Sequence, residues 1–231
     1  MIQIMSGLNI ITIDGPAGSG KSTLAKGVAQ VLNLPYLDTG AMFRAIALYL
    51  GDGSWDWEDK VLSSALKKFR FSLRGNDVKA VLTLNNQTLG CEIRQEKIGN
   101  WASNLGKIKT IRDFLKKSQQ DIGTSTSLVC EGRDMGTVVF PRARWKFFLQ
   151  ASDFERARRR WQQLISYGQK PDFDQVFEGI QARDLQDQQR EFAPLKPAED
   201  VLIIDTTELS INEVKEKILD TVYKEKKKTN T

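Results

Sequence analysis

A short apolar run from Asn9 to Ile13 ends at Asp14 and leads at once into Gly15-Pro16-Ala17-Gly18-Ser19-Gly20-Lys21-Ser22, an unbroken match to G-x-x-x-x-G-K-[ST]. No other stretch narrows the choice of fold as much. A buried strand has to deliver such a loop and a helix, beginning near Ser22, has to carry it away. The glycines let the backbone wrap closely enough for its N–H groups to face phosphate oxygens, and the helix N-terminus adds the positive end of its dipole. Lys21 is placed to meet the β- and γ-phosphates, Ser22 to help hold Mg2+, and Thr23 to complete the nucleotide cradle. A turn that merely joins strand to helix has no need of Lys-Ser at that point. A GTPase would also carry Asn-Lys-x-Asp, and no Asn-Lys pair occurs here, so the expected donor is ATP.

The rest of the chain fits around that unit. Four further apolar runs read as buried strands: Pro35 to Leu37, Ser127 to Cys130, Trp145 to Leu149 and Val201 to Ile204. Continuous apolar strands need cover on both faces, and their alternation with helical patterns makes a parallel sheet flanked by helices the natural arrangement. Leu24, Val28 and Val31 give the first helix its apolar stripe, and Ser152 to Glu155 and Ser210 to Glu213 both fit a capping box. One stretch breaks the rhythm. Phe69, Phe71 and Leu73 alternate with polar residues, Gly75-Asn76-Asp77 turns, and Val81 to Leu84 alternates again before Asn85-Asn86, which is the pattern of antiparallel strands.

Composition excludes whole chemistries. With no histidine and only Cys91 and Cys130, the chain has neither a Ser-His or Cys-His nucleophile nor the ligands of a structural zinc site. Cys130 sits in an apolar run and reads as a buried reduced thiol. The opening Met1 to Ser6 lacks the basic start and long apolar stretch of a secretory signal, so a cytoplasmic protein is expected. The net charge of +5 suits anionic ligands, though much of the excess lies in the terminal run Lys224, Lys226, Lys227 and Lys228, read as a solvated, fraying end.

Two segments leave the C-terminal ends of strands, where open α/β sheets bind ligands: Asp38 to Arg44, which includes Thr39, and Glu131 to Pro141. Arg44 and Arg133 there serve either to neutralise phosphates or to pair with neighbouring carboxylates. Arg183, Asp187 and Arg190 stand at i, i+4 and i+7, a single helix face that either reaches a nucleotide or forms a solvated ladder of ion pairs. Arg156-Ala157-Arg158-Arg159-Arg160 at the start of a capped helix fits either a nucleic-acid patch or a lid over ATP. Trp145 and Trp161 read as packing residues.

The phosphate loop together with Leu37 to Arg44, Gly132 to Pro141, Ala193 to Ala198 and Ile204 to Thr207, in that order across nearly the whole chain, resembles the bacterial cytidylate kinases. The resemblance implies the P-loop nucleoside-monophosphate-kinase fold in a single domain over 1–231: a five-stranded parallel core, an enlarged CMP-binding insertion at about 65–105, a lid at about 153–172, and a basic tail at 224–231. It implies that Ser103, Arg112 and Asp134 contact cytosine, that Arg183 and Asp187 lie near the sugar, and that Arg44, Arg133 and Arg190 hold phosphate. It favours the lid reading of the arginine-rich helix, with Arg156 and Arg160 as phosphate contacts. The implied reaction moves the γ-phosphate of ATP to CMP, and to dCMP, with Mg2+ as cofactor; no nucleic-acid or membrane partner is expected, and the lack of a large apolar surface helix in the pattern suggests a monomer. Glu131 stands where many relatives have Asp, Phe43 where many have Tyr, and Ser22 where some have Gly. The rival readings are a kinase for AMP, UMP or shikimate, and a nucleotide-binding regulator without catalysis.

Overall fold

In the computed structural model of the protein, which describes residues 8–75 and 77–229 and side chains as far as Lys224, the five apolar runs all become strands of one sheet. In chain order the elements are β1 (Ile10–Asp14), α1 (Lys21–Leu32), β2 (Tyr36–Asp38), α2 (Thr39–Leu50), α3 (Asp59–Leu66), β3 (Phe71–Arg74), β4 (Val81–Leu84), β5 (Gln87–Thr88), α4 (Glu96–Leu105), α5 (Lys109–Gly123), β6 (Leu128–Gly132), β7 (Trp145–Gln150), α6 (Asp153–Ser166), α7 (Phe173–Gln189), β8 (Leu202–Asp205) and α8 (Ile211–Thr229). The parallel sheet runs β2-β6-β1-β7-β8, so β1 lies at its centre and delivers the phosphate loop between the ends of β6 and β7.

Every strand extends at least one residue past its apolar run, because ladder hydrogen bonds continue after the side chains turn polar. Asp14, Asp38, Gly132, Gln150 and Asp205 are those last residues. They all emerge at one edge of the sheet. Side chains alternate between two cores: Ile11, Ile13 and Val129 pack against α1 and α8, whereas Leu128 and Cys130 pack against the α2, α4 and α5 side. Cys130 is a free buried thiol whose pKa burial pushes well up. Trp145 lies in the first of these cores, and Trp161 packs edge-on against Phe173 while its Nε1 donates to the Pro171 carbonyl at 3.0 Å.

Three expectations about the helices need correction. The buried stripe of α1 is Leu24, Ala25, Val28 and Ala29, while Val31 is 49% exposed; Asn33, in the left-handed region at φ 51°, turns the chain so that Leu34 enters the core instead. Only Ser210 and Glu213 form a reciprocal capping box. Ser152 does accept from Glu155 N–H, but the Glu155 carboxylate is taken by Arg158 and Arg159. Arg190 lies one residue beyond α7 in extended conformation, so it shares no helix face with Arg183 and Asp187.

The antiparallel alternation is present as the sheet β3-β4-β5, in which Phe71 faces Leu84 and Asn85-Asn86, both at positive φ, make the last turn. Phe69 is buried just before β3, and Asn76 lies outside the described residues. This stretch is only half strand, since a 3-10 turn at Cys91–Arg94 and then α4 follow. The backbone of α8 continues to Thr229, while the side chains beyond Lys224, and Met1 to Ser6, lie outside the described residues. No described helix is long and apolar enough to cross a membrane.

Candidate active site

Two glycines set the phosphate loop against its neighbours. Gly15 has φ 148°, and a Cβ there would lie 2.3 Å from the Leu149 carbonyl; Gly18 has φ 75°, and a Cβ would lie 2.8 Å from the Arg156 carbonyl. Ala17 between them is gripped twice. Its N–H donates to Asp184 Oδ1 at 3.3 Å and its carbonyl accepts from Arg156 Nη1 at 2.9 Å, and Arg156 and Asp184 pair with each other. The loop therefore rests on α6 and α7 as well as on β1. Lys21, buried at the first helical position, donates to the Pro16 carbonyl at 2.5 Å and to Ser19 Oγ at 3.3 Å. Burial, then the nearby Arg133 and Arg183, hold its ammonium well below the usual lysine range, against the pull of Glu131 and Asp187. Ser22 and Thr23 lie exposed on the first turn.

Beyond the loop, guanidinium and carboxylate groups alternate. Arg133 Nε donates to Asp187 Oδ2 at 2.8 Å, Arg190 Nη1 donates to Asp187 Oδ1 at 3.4 Å, Arg190 Nη2 stands 3.7 Å from Asp134 Oδ1, and Arg112 Nη2 donates to Asp134 Oδ2 at 2.6 Å. Cations outnumber anions along this line. Arg183 from α7 adds another, with its Nε buried and unpartnered among the described residues. Burial, then Arg133, lowers the Arg183 pKa to about 10, and burial, then Arg112, does the same to Arg190. Such a surplus of desolvated cations is unfavourable until an anion arrives. Asp187 stays ionised in spite of burial because Arg133, Arg190 and Arg183 surround it.

The turn that carries Arg133 and Asp134 is fixed from beneath. Asp14 accepts from Met135 N–H at 3.0 Å and Gly136 N–H at 2.8 Å, and Thr39 Oγ1 donates to the Glu131 carbonyl at 2.6 Å. Glu131 itself is buried beside the loop, receives the Tyr36 hydroxyl and hydrogen-bonds Ser22; burial and then Asp38 push its carboxyl up. The Ser22 hydroxyl and the Glu131 carboxylate form the kind of hard-oxygen pair that suits Mg2+, which takes few protein ligands and fills its shell with water and phosphate. No group of three or more candidate metal-ligating side chains occurs among the described residues.

Arg112 and Asp134 also line a cavity of about 210 Å3 together with Phe43, Gln119, Val138 and Phe192. The Arg112 guanidinium lies 5.5 Å from the centre of the Phe43 ring. Ser103 does not line it; its Oγ and carbonyl accept from Gln186 on α7 at 2.7 and 3.0 Å. Arg44 donates to the carbonyls of Ile93 and Gln95, both at 3.2 Å, and Arg94 pairs with Asp38 at 2.6 Å, so the segment after β5 is latched to α2.

The arginine-rich helix divides by function. Arg156 is 3% exposed and fully engaged by Ala17, Ala151, Asp153 and Asp184. Arg160 donates to Gln163 and lies 4.0 Å from Glu96 of α4. Between them Arg159, which spacing did not single out, donates to the Thr206 carbonyl at 2.6 Å and stands about one van der Waals contact, 4.0 Å, from a Cβ built on Gly20. Asp184, Tyr36 and Gln186 also escaped the sequence. Asp184 had a signal, its place next to Arg183 on one helix; the other two had none.

Comparison with known proteins gives one consistent result. The family model described as cytidylate kinase matches residues 11–224. A cytidylate kinase of Maridesulfovibrio salexigens is 52% identical over 96% of this chain and 98% of its own, one of Oleidesulfovibrio alaskensis is 49% identical over 89% and 94%, and one of Thermosipho melanesiensis is 45% identical over 94% and 97%. Among solved structures, that of an uncharacterised protein from Eubacterium ventriosum has a TM-score of 0.51 at 13% identity, covering 94% of this chain and 99% of its own, and shares the fold alone.

Proposed function

The chain belongs to the cytidylate kinase family, and from that premise we propose how the polar edge of its sheet moves the terminal phosphate of ATP onto CMP. In that reaction an oxygen of the CMP phosphate attacks the γ-phosphorus, the new O–P bond forms as the bond to the β-phosphate oxygen breaks, and ADP and CDP leave. The attacking oxygen is already anionic near neutral pH. No general base is needed, which agrees with a chain that has no histidine.

The observation that carries the site assignment is the line Arg133, Asp187, Arg190, Asp134 and Arg112, held beside Lys21 with cations in excess. In our reading Gly15 to Thr23 cradle the triphosphate, and Lys21 neutralises charge at the transferred group. Arg44, Arg133 and Arg190 orient the acceptor phosphate, Arg183 and Asp187 hold the sugar, and Arg112 and Asp134 face the base, while Ser103 is held outside that cavity by Gln186. Arg44 is now committed to two carbonyls of the 65–105 segment, so an acceptor phosphate that claims it would draw on that latch. Residues 153–172 close over ATP and exclude water. Within them Arg156 acts through Ala17, and Arg159 and Arg160 supply the lid's charge. Ser22 and Glu131 would hold Mg2+, whose charge neutralises the β- and γ-phosphates.

We extend the acceptor range to dCMP. We also infer a cytoplasmic monomer, supported by exposed apolar side chains that are spread over α2, α6, α7 and β8 rather than gathered on one helix. The deciding experiment measures ADP release with CMP, dCMP, UMP, AMP and shikimate as acceptors. Turnover is expected with CMP and dCMP, falling at least a thousandfold in Lys21→Ala with the fold intact. Near-normal turnover in that variant would remove Lys21 from the mechanism, and preference for AMP or shikimate would overturn the base-site assignment.

A further inference from the structure

The cavity beside Asp134 contains a polar group that nothing else in the described protein uses. Along α5 the side chains of Ile111, Leu115 and Ile122 face the core at helical spacing, and Gln119 stands on the same buried face. It is 1% exposed, and its Nε2 has no hydrogen-bond partner among the described residues. Its neighbour Gln120, by contrast, donates to the Val139 carbonyl at 2.8 Å. A carboxamide where an aliphatic side chain would pack leaves a buried donor without a protein partner, which weakens the fold. Gln119 lines the same cavity as Arg112 and Asp134, about two helical turns along α5 from Arg112. The cavity is thus lined by a carboxylate acceptor, a guanidinium donor and a glutamine whose buried amide nitrogen has no partner among the described residues.

We propose that Gln119 determines specificity in the acceptor site by donating from Nε2 to the ring-nitrogen or carbonyl acceptor edge of the pyrimidine. The proposal rests on the reading of this cavity as the base site. Cytosine offers an amine donor with N3 and O2 acceptors beside it, which matches one acceptor and two donors on the wall. The unpaired amide weakens the ligand-free protein and is satisfied when the base enters.

Steady-state kinetics and thermal unfolding of full-length Gln119→Leu, with Asp134→Ala in parallel, test this. Gln119→Leu is expected to raise KM for CMP roughly tenfold, the loss of one hydrogen bond, with KM for ATP unchanged within about twofold. It should not lower the thermal midpoint, because an apolar group replaces an unpaired amide. Gln119→Met, equal in length and without the donor, carries the same expectation if leucine disturbs packing. An unchanged KM for CMP in both Gln119 variants, with a raised one in Asp134→Ala, would discard Gln119 and keep the base site. No change in any of the three would overturn the cavity reading and the proposal together. A lowered midpoint with equal effects on CMP and ATP would assign Gln119 to packing.

Discussion

Asp14 is the residue on which chemistry and stability pull in opposite directions. Burial pushes its carboxyl up to about 6, against the two N–H donors of Gly136 and Met135 that favour the charge. Because the folded protein holds this proton more tightly than the unfolded chain, Asp14 favours the fold most below about pH 4, and that contribution is withdrawn as the pH rises to about 6. Activity has the other sign, since only the carboxylate can accept both N–H groups and hold the turn beside Asp134. We expect KM for CMP to rise as the pH falls below about 6, and this rise to be weaker in Asp14→Asn, where only the titration of the CMP phosphate remains, at a raised KM. Urea unfolding between pH 4 and pH 7 should show the wild type losing up to about 3 kcal/mol relative to Asp14→Asn as the pH rises. A pH-independent difference would remove Asp14 as the group responsible. Its position at a strand end was plain in the sequence, but its partners lie 121 and 122 residues away, where no local pattern reaches.

Element α6 shows that arginines one or two residues apart do unlike work. Arg156 is buried against the phosphate loop and Asp184, whereas Arg158 pairs with Glu155 at the surface. Arg156→Ala should cost about 3–5 kcal/mol in stability by leaving Asp184 buried and unpaired, and should raise KM for ATP as Ala17 loses its anchor. Arg158→Ala, at the surface, should cost far less. Denaturant unfolding with parallel ATP titrations would settle the pair, and equal costs would show that Arg156 is no anchor. Spacing revealed that these residues share a helix, and Ser152 marked where it begins. It did not reveal which arginine meets the loop, because that depends on α7 passing behind. Arg190 illustrates the same limit: its i+7 position suggested a common face, but α7 stops at Gln189, and the turn held by Arg190 Nε on the Ala193 carbonyl supplies the geometry.

At the scale of the whole molecule, the parallel sheet and its phosphate loop were legible from runs of apolar residues and one glycine pattern, because both are written in contiguous sequence. Strand order was not, since β1 pairs with β6 and β7 from the far side of the 65–105 segment. The cation surplus at the sheet edge links ligand to stability. CMP at a hundred times its dissociation constant should add about 2.7 kcal/mol, or roughly 5–10 °C in thermal midpoint for a chain of this size, and Asp187→Ala should reduce that shift. No shift at saturating CMP would contradict a preformed acceptor site. The central position of β1 also has a consequence in time. Ile10–Asp14 leaves the ribosome more than a hundred residues ahead of its two neighbours, Leu128–Gly132 and Trp145–Gln150. At about 5–20 residues per second the nascent strand waits roughly 7–30 s with both edges unpaired, so the loop that defines the enzyme is synthesised well before it can become a site.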